Sequence, residues 1–97
     1  MLHAEKRKQI YISVDMLRQF YEYFQLYNTP QEIRSECNAI TIINTGTTTA
    51  ILDGLQIAPG AQYVAPGNED ELNMTRYRLS FTGAGNDIVL VIRKIYK

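Results

Sequence analysis

The sequence has little of the material from which catalytic, metal-binding and disulfide-linked sites are made. Its 97 residues include one cysteine, one histidine and no tryptophan. A single cysteine excludes an internal disulfide, so the fold has to be held together by packing alone. One histidine and one cysteine cannot supply the soft ligands of a zinc site. We therefore predict a protein that carries no cofactor.

The sequence also lacks an excess of charge of either sign and has no long apolar run. Ten Lys and Arg balance ten Asp and Glu, so the formal net charge is zero. Because phosphate neutralisation requires cationic excess, we do not expect nucleic acid as a partner. No apolar run reaches the roughly 18 residues that span a bilayer, so no membrane association is expected. The charged first eight residues lack a following apolar segment, and this argues against a secretory signal.

The first third of the chain has a helical pattern of apolar residues. Gln9 to Val14 alternates between apolar and polar side chains, which predicts a short strand or extended arm. Asp15 is a candidate N-cap for a following helix. Thr29-Pro30-Gln31-Glu32 has the form of a capping box and predicts a short second helix or a turn over 30–36. The first helix is predicted from one apolar stripe, formed by Leu17, Phe20, Tyr21, Phe24 and Tyr27.

The remaining residues have the pattern of antiparallel strands. All six glycines lie between residues 44 and 87. Asp53-Gly54 predicts a type I′ hairpin turn, Pro59-Gly60 a type II turn, and Gly83 to Asn86 a hairpin turn before the last strand. We expect an α+β fold: an N-terminal arm and helix over 1–37, then an antiparallel β-sandwich or barrel-like sheet of about six short strands over 38–97. Those strands are predicted at 39–43, 49–52, 55–57, 62–65, 75–81 and 88–92.

Three groups of residues are candidates for chemistry, and each has a structural interpretation that we favour. Cys37 and His3 form the one conceivable nucleophile and base pair, but Cys37 is better interpreted as a small half-buried side chain. The acidic loop at 69–71, with Asp53 or Asp87, has the oxygen ligands that calcium prefers. Its spacing is not that of a dedicated calcium loop, so a solvated loop is favoured. We predict no catalytic, cofactor-binding or metal-binding residues.

Two segments carry more apolar surface than a small single subunit can cover. The aromatic residues of the first helix occupy more than one face, and strand 88–92 is apolar on both faces. We therefore predict contacts with other copies of the chain or with another protein. A second surface is predicted on the exposed side of the sheet, at Arg76, Arg78 and Tyr63. The predicted partner interface consists of Ile10, Tyr11, Ile12, Phe20, Tyr23, Phe24, Tyr27, Val89 and Val91.

The turn motifs of the β region carry a family resemblance. The order of turns from Ala39 to Thr48, then from Ile51 to Gly60, and the strand from Tyr77 to Phe81 resemble small β-sandwich proteins of tailed bacteriophage virions. Such proteins serve as head fibres, decoration proteins and tail-associated proteins. The resemblance implies a multi-copy structural role without catalytic residues.

The sequence thus supports one leading hypothesis and two others. The leading one is a non-enzymatic virion protein, made in the bacterial host cytoplasm, attached to capsid or tail by its N-terminal segment, and homo-oligomeric. A host surface glycan is an additional partner to consider. The second is a carbohydrate-binding or adhesin module with exposed coplanar rings, for which Tyr63, Tyr77 and Tyr96 are the candidates. The third is a small enzyme that uses Cys37 or the acidic loop.

Overall fold

Eight antiparallel strands form two four-stranded sheets in the computed structural model, which describes residues 19–97. The front sheet has the order β1-β8-β3-β6, and the back sheet has the order β2-β7-β4-β5. The part of the chain that the structure describes contains no helix of the length and apolarity required to cross a membrane. The strands are β1 (Phe20–Tyr27), β2 (Gln31–Arg34), β3 (Ala39–Asn44), β4 (Thr49–Leu52), β5 (Leu55–Ile57), β6 (Gln62–Ala65), β7 (Arg76–Thr82) and β8 (Val89–Tyr96).

The strand pairing is nested around a single hairpin. β4 pairs with β5, β3 with β6, β2 with β7 and β1 with β8. Two further pairings, β3 with β8 and β4 with β7, join these pairs into the two sheets. A hairpin of nested strand pairs wrapped into two facing sheets is the jelly-roll arrangement. This arrangement brings the two ends of the described chain together, and the backbone N–H of Lys97 donates to the carbonyl oxygen of Gln19.

The predicted α+β class is wrong, because the aromatic segment is a strand. Residues 20–27 form β1, which pairs along its full length with β8. The sequence of this segment is compatible with two periodicities. Its apolar residues form a stripe on one side of a helix, and the same residues can also alternate between the two faces of a strand. Tyr and Phe favour a pleated surface over a helix, and pairing with β8 decides between the two. The predicted strand over Gln9 to Val14 and the Asp15 cap lie outside the described residues.

The helix or turn predicted over 30–36 is also wrong, because most of this segment is a strand. Gln31–Arg34 is β2, an edge strand of the back sheet, and it pairs with β7. Of its four side chains only that of Ile33 is buried. The capping pattern around Pro30 instead marks the point where the chain passes from the front sheet to the back sheet. β1 and β2 come from the segment 1–37, and each pairs with a strand from the segment 38–97.

The strands predicted after residue 38 are confirmed with small changes at their ends, and so are the turns at Asp53-Gly54 and Pro59-Gly60. Asp53 and Gly54 have φ angles of 49° and 88° between β4 and β5, as a type I′ turn requires. Gly60 has a φ of 84°, and the N–H of Ala61 donates to the carbonyl of Ala58 at 2.9 Å. The last strand is longer than predicted and continues to Tyr96.

The loop from Gly83 to Asn86 is not a hairpin turn, because it joins strands of different sheets. β7 belongs to the back sheet and β8 to the front sheet. The local sequence of such a loop resembles that of a hairpin, since both need residues that reverse the chain. Which strand the chain then pairs with depends on contacts far away in the sequence.

One hydrophobic core fills the space between the sheets. Its members alternate along each strand with residues that face outwards, as the two-residue repeat of a strand requires. The buried members are Tyr27, Ile33, Cys37, Ile40, Ile42, Ala50, Leu52, Ile57, Tyr77, Leu79, Val89 and Val91.

Candidate functional site

The outer face of the front sheet is apolar and faces away from the core. Antiparallel partners share a face of a sheet, and the buried Val89 and Val91 identify which face is inward. The alternate residues of β8 and their partners on β1, β3 and β6 therefore point outwards. This outer face carries Phe20, Glu22, Phe24, Leu26, Ala39, Thr41, Ile43, Gln62, Val64, Leu90, Ile92, Lys94 and Tyr96.

Two large apolar side chains of this outer face are more than half exposed. Phe24 is 61% exposed and Leu26 is 67% exposed, and both lie on the edge strand β1. Phe20 and Val64 are exposed to nearly half of their surface. Burial of a single side chain of this size stabilises a complex by about 1.5–3 kcal/mol. Contiguous exposed apolar surface on this scale is typical of a protein interface.

The charged residues of the outer face lie together at one end. Glu22 of β1 is the cross-strand partner of Lys94 on β8. The ammonium nitrogen of Lys94 lies 4.0 Å from the ring centroid of Phe20 and 5.2 Å from that of Tyr96. These cation–π distances place the charge over aromatic rings. Among the described residues of this face, those at the opposite end, around Leu26 and Leu90, are uncharged.

The predicted partner interface is divided between different environments. Phe20 and Phe24 lie on the outer face, whereas Tyr23 points to the opposite side of β1 and is 59% exposed. Val89 and Val91 are fully buried in the core and present no surface to a partner. Tyr27 is nearly buried as well. Ile10, Tyr11 and Ile12 lie outside the described residues.

The predicted exposed-face contact is also divided. Arg76 and Arg78 are exposed on the outer side of the back sheet, where Tyr77 between them points inwards. Tyr63 belongs to the front sheet and packs edge-on against Tyr77, with ring centroids 5.7 Å apart. A hydrogen bond with Tyr77 and burial raise the pKa of Tyr63. Since Tyr96 lies on the outer face of the front sheet, the three tyrosines proposed for sugar binding do not share a face.

A cleft separates β1 from β2 on one side of the sandwich. Its volume is about 410 Å³. The Arg93 side chain spans the cleft. It donates one hydrogen bond to the back sheet, to the carbonyl oxygen of Arg34 at 2.9 Å. It donates two more within the front sheet, to the Oε1 of Gln25 and to the hydroxyl of Tyr27, both at 2.9 Å. The lining residues are Tyr23, Gln25, Tyr27, Gln31, Glu32, Arg34, Ser35, Glu36, Arg93 and Ile95.

Cys37 is a core residue. Its side chain is 1% exposed, and its thiol donates to the carbonyl oxygen of Ala39 at 3.2 Å. Burial raises the pKa of the Cys37 thiol, although the nearby charge of Arg93 acts in the opposite direction. A buried thiol of raised pKa stays protonated at neutral pH, whereas a cysteine nucleophile must ionise. This position thus favours the structural interpretation.

Hydrogen bonds between side chains and backbone groups fix the conformation of the acidic loop. The Glu71 carboxylate accepts from the N–H of Asn68, and the Asn68 side chain accepts from the N–H of Asp70. The Asn38 amide, at the start of β3, donates to the carbonyl oxygens of Glu71 and Asn68. Within residues 19–97 no three His, Cys, Asp or Glu side chains are grouped closely enough to hold a metal ion.

Asn44 connects the turns that lie between β3 and β6. Its side chain is fully buried, donates to the carbonyl oxygens of Thr48 at 2.7 Å and Ile57 at 2.8 Å, and accepts from the N–H of Gly46 at 3.0 Å. Its carbonyl oxygen accepts from the N–H of Gly60 at 2.8 Å. The motif residues thus form one structural network. The sequence predicts these turns separately and gives no signal that one amide joins them.

Comparisons with protein-family models, with curated proteins and with solved structures found no match. Function is therefore inferred from the surfaces described above.

Proposed function

We propose that this protein is a non-enzymatic structural component of a bacteriophage particle that assembles as a homo-oligomer. The observation that carries the proposal is the apolar outer face of the front sheet, with Phe24 and Leu26 more than half exposed at its edge. An apolar strip of this kind is suited to a protein partner, which removes it from water. The attachment of the N-terminal segment to capsid or tail is part of the same proposal.

The composition of this face favours a protein partner over a small ligand. A small-molecule site is concave and has a few polar groups that orient the ligand. The outer face is the flat side of a sheet, and the side chains at its centre, on β8 and β3, are Leu90, Ile92, Thr41 and Ile43. Interfaces between subunits are built from such surfaces, with charged residues towards the rim. Glu22 and Lys94 at one end of the face match that pattern.

The assignment to a phage particle depends on two analogies. The first is the resemblance of the turn motifs from Asn44 to Gly60 to those of small virion sandwiches. The second is the jelly-roll arrangement, which is common among viral capsid proteins and lectins.

The test is mass spectrometry of phage particles purified on a density gradient from the bacterial culture that carries the gene. We expect peptides of this chain to co-purify with the particles at the abundance of known structural proteins. Its absence from intact particles would contradict the proposal.

Variants make this experiment specific to the outer face. Phe24→Ser with Leu26→Ser is expected to reduce incorporation into particles, because it removes the most exposed apolar side chains of the face. The matched control is Leu72→Ser with Met74→Ser, which changes two similarly exposed apolar side chains between β6 and β7. Equal incorporation of both variants would contradict a role for the outer face.

The cleft between β1 and β2 favours a carbohydrate-binding module as a second candidate function. The exposed ring of Tyr23 lies beside the amides of Gln25 and Gln31, the carboxylate of Glu32 and the guanidinium of Arg93. Aromatic rings next to planar polar side chains suit the apolar faces and hydroxyl groups of a sugar.

If the protein is a carbohydrate-binding module, we expect the wild-type chain to bind glycans on an array and Tyr23→Ala to lose this binding. Tyr21→Ala is the control, because Tyr21 lies on the same side of β1 outside the cleft lining. An array without signal removes this candidate.

A further inference from the structure

The front sheet ends in a strand edge that differs from the other three edges of the sandwich. The edge strands are β1, β6, β2 and β5. β1 has eight residues, whereas β6 and β2 have four each and β5 has three. A free edge leaves alternate N–H and C=O groups without a partner in the sheet, so its length sets how many are available for pairing with another strand.

β1 also lacks the devices that protect exposed edges. Short length, charged residues and proline are the usual ones. β2 carries Glu32 and Arg34 in its four residues, and Pro66 follows β6 directly. β1 contains no proline and no lysine, and its one charged residue is Glu22. Within residues 19–97 this edge has no paired strand, and its sequence leaves it open to pairing.

We propose that β1 pairs antiparallel with β1 of a second copy around a two-fold axis, so that two front sheets join into one sheet of eight strands. This inference builds on the proposed function, because it identifies the contact through which the homo-oligomer forms. Length favours a second β1 as the occupant: a two-fold contact centred on Gln25 pairs residues 23–27 of each copy, a longer stretch than β2, β5 or β6 contains. A two-fold contact satisfies both open edges at once.

Side-chain pairing selects the register. Partners across the axis must lie on the same face, so the axis passes through a residue of β1. An axis at Glu22 would place two carboxylates opposite each other, which is unfavourable. An axis at Gln25 pairs Phe24 with the partner's Leu26 and Tyr23 with the partner's Tyr27. An axis at Tyr23 or Phe24 would place the Glu22 carboxylate opposite an apolar side chain, so we place the axis at Gln25, where the opposed pairs are apolar or aromatic.

The paired arrangement extends the apolar outer face across the axis. Phe24 and Leu26, the most exposed apolar residues of β1, become central in a sheet of twice the width. Each gains a large apolar neighbour from the second copy.

Disulfide cross-linking of the full-length chain tests the register directly. A cysteine at position 25 faces its own copy across the axis, where opposite Cα atoms lie about 4.5–5.5 Å apart and can be bridged. We expect Gln25→Cys to form a disulfide-linked dimer under mild oxidation. The matched control is Gln62→Cys, an exposed glutamine on β6 at the other edge of the same sheet, which is expected to remain monomeric on a non-reducing gel. Cys37 stays in both variants, since it is buried.

Sedimentation velocity gives an independent measurement. We expect the wild-type chain to be dimeric at micromolar concentration, and we expect Phe24→Lys to weaken the dimer by roughly tenfold or more, because lysine is the usual protection of a free edge. Leu72→Lys is the control, and an unchanged urea midpoint shows that Phe24→Lys still folds. A monomeric wild-type chain would overturn the proposal, and so would equal cross-linking of Gln25→Cys and Gln62→Cys. Either result would indicate that something else pairs with β1, such as residues 9–14 of the chain.

The outcomes of the two proposals are separable. A chain that is abundant in particles but monomeric in solution retains the virion role and loses the β1 contact. A chain that forms a dimer cross-linked through position 25 but is absent from particles retains the β1 contact and loses the virion role.

Discussion

A single buried amide stabilises the turn region of the sandwich. Asn44 makes two hydrogen bonds to carbonyl oxygens of other segments and accepts a third from Gly46. No buried side-chain polar atom within residues 19–97 lacks a hydrogen-bond partner. A network of this kind is stabilising only when it is complete, since a buried polar group without a partner costs about 1–3 kcal/mol.

Asn44→Ala is therefore expected to lower the free energy of unfolding by about 2–4 kcal/mol, because it removes the donors that the Asn44 amide directs at the buried carbonyl groups of Thr48 and Ile57. Asn44→Asp is the informative companion, since it keeps the acceptor for Gly46 but places a carboxylate against two carbonyl oxygens. Urea denaturation followed by circular dichroism measures both. An Asn44→Ala variant within about 0.5 kcal/mol of wild type would show that the network is not stabilising.

The buried thiol of Cys37 predicts a dependence of stability on pH. Burial raises the pKa of Cys37 in the folded state, so the thiol of the unfolded chain ionises at lower pH. The unfolded state then binds fewer protons, and the free energy of unfolding falls as pH rises above about 8.5, the ordinary pKa of a thiol. This loss should be smaller in Cys37→Ala when urea midpoints are compared between about pH 7.5 and about pH 9.5. Equal slopes for the two proteins would contradict the assignment.

At the level of elements, the turns were predictable and the first two strands were not. Asp53-Gly54 and Pro59-Gly60 determine their turns locally, because their φ angles restrict the chain regardless of what lies around it. The segment 20–27 carries aromatic residues compatible with two periodicities, and pairing with β8 is what makes it a strand. The same holds for Gln31–Arg34, whose pairing with β7 overrides a sequence pattern typical of a helix start.

Two glycine substitutions are expected to separate local from tertiary constraint. Gly54 has a positive φ and open space where a Cβ would lie, so Gly54→Ala should cost about 1–2 kcal/mol from backbone strain alone. Gly46 has no such φ, but a Cβ there would collide with the carbonyl oxygen of Asn86. We expect Gly46→Ala to be the more destabilising of the two in urea denaturation. The reverse order would mean that the Asn86 loop moves away easily.

At the scale of the molecule, nesting sets the order in which contacts can form. β4 and β5 are joined by a two-residue turn, whereas β1 pairs with β8 from the opposite end of the described chain. Because closing a long loop costs more entropy than closing a short one, the inner hairpin is expected to form early and the outer pair late.

Folding kinetics of two core variants check this order. Leu52→Ala in β4 should slow folding, whereas Val91→Ala in β8 should mainly accelerate unfolding, because its contacts form after the transition state. Both side chains are buried, so both variants lose core packing. Stopped-flow chevron plots in urea measure the folding rate and the unfolding rate of each variant separately. A larger effect of Val91→Ala on the folding arm would place the outer pair in the folding nucleus.

The candidate interface shows the same division between local pattern and tertiary placement. Surplus apolar surface on the aromatic segment and on the last strand was evident from the sequence. The sequence did not show which of these side chains a partner can reach. Val89 and Val91 face the core, while Phe24 and Leu26 are exposed. A strand with two apolar faces does not reveal which face is inward, because that depends on which side the second sheet covers.

The sequence by itself determined the tight turns, the strands between Ala39 and Tyr96 and the absence of an internal disulfide, since each follows from local backbone preference or from residue type. Only the tertiary structure decided that Phe20–Tyr27 and Gln31–Arg34 are strands, that the strand pairs are nested, and that one apolar face and one long edge are left uncovered among residues 19–97. Strand pairing joins residues far apart in the chain, and its free energy comes from partners that no local window of sequence contains.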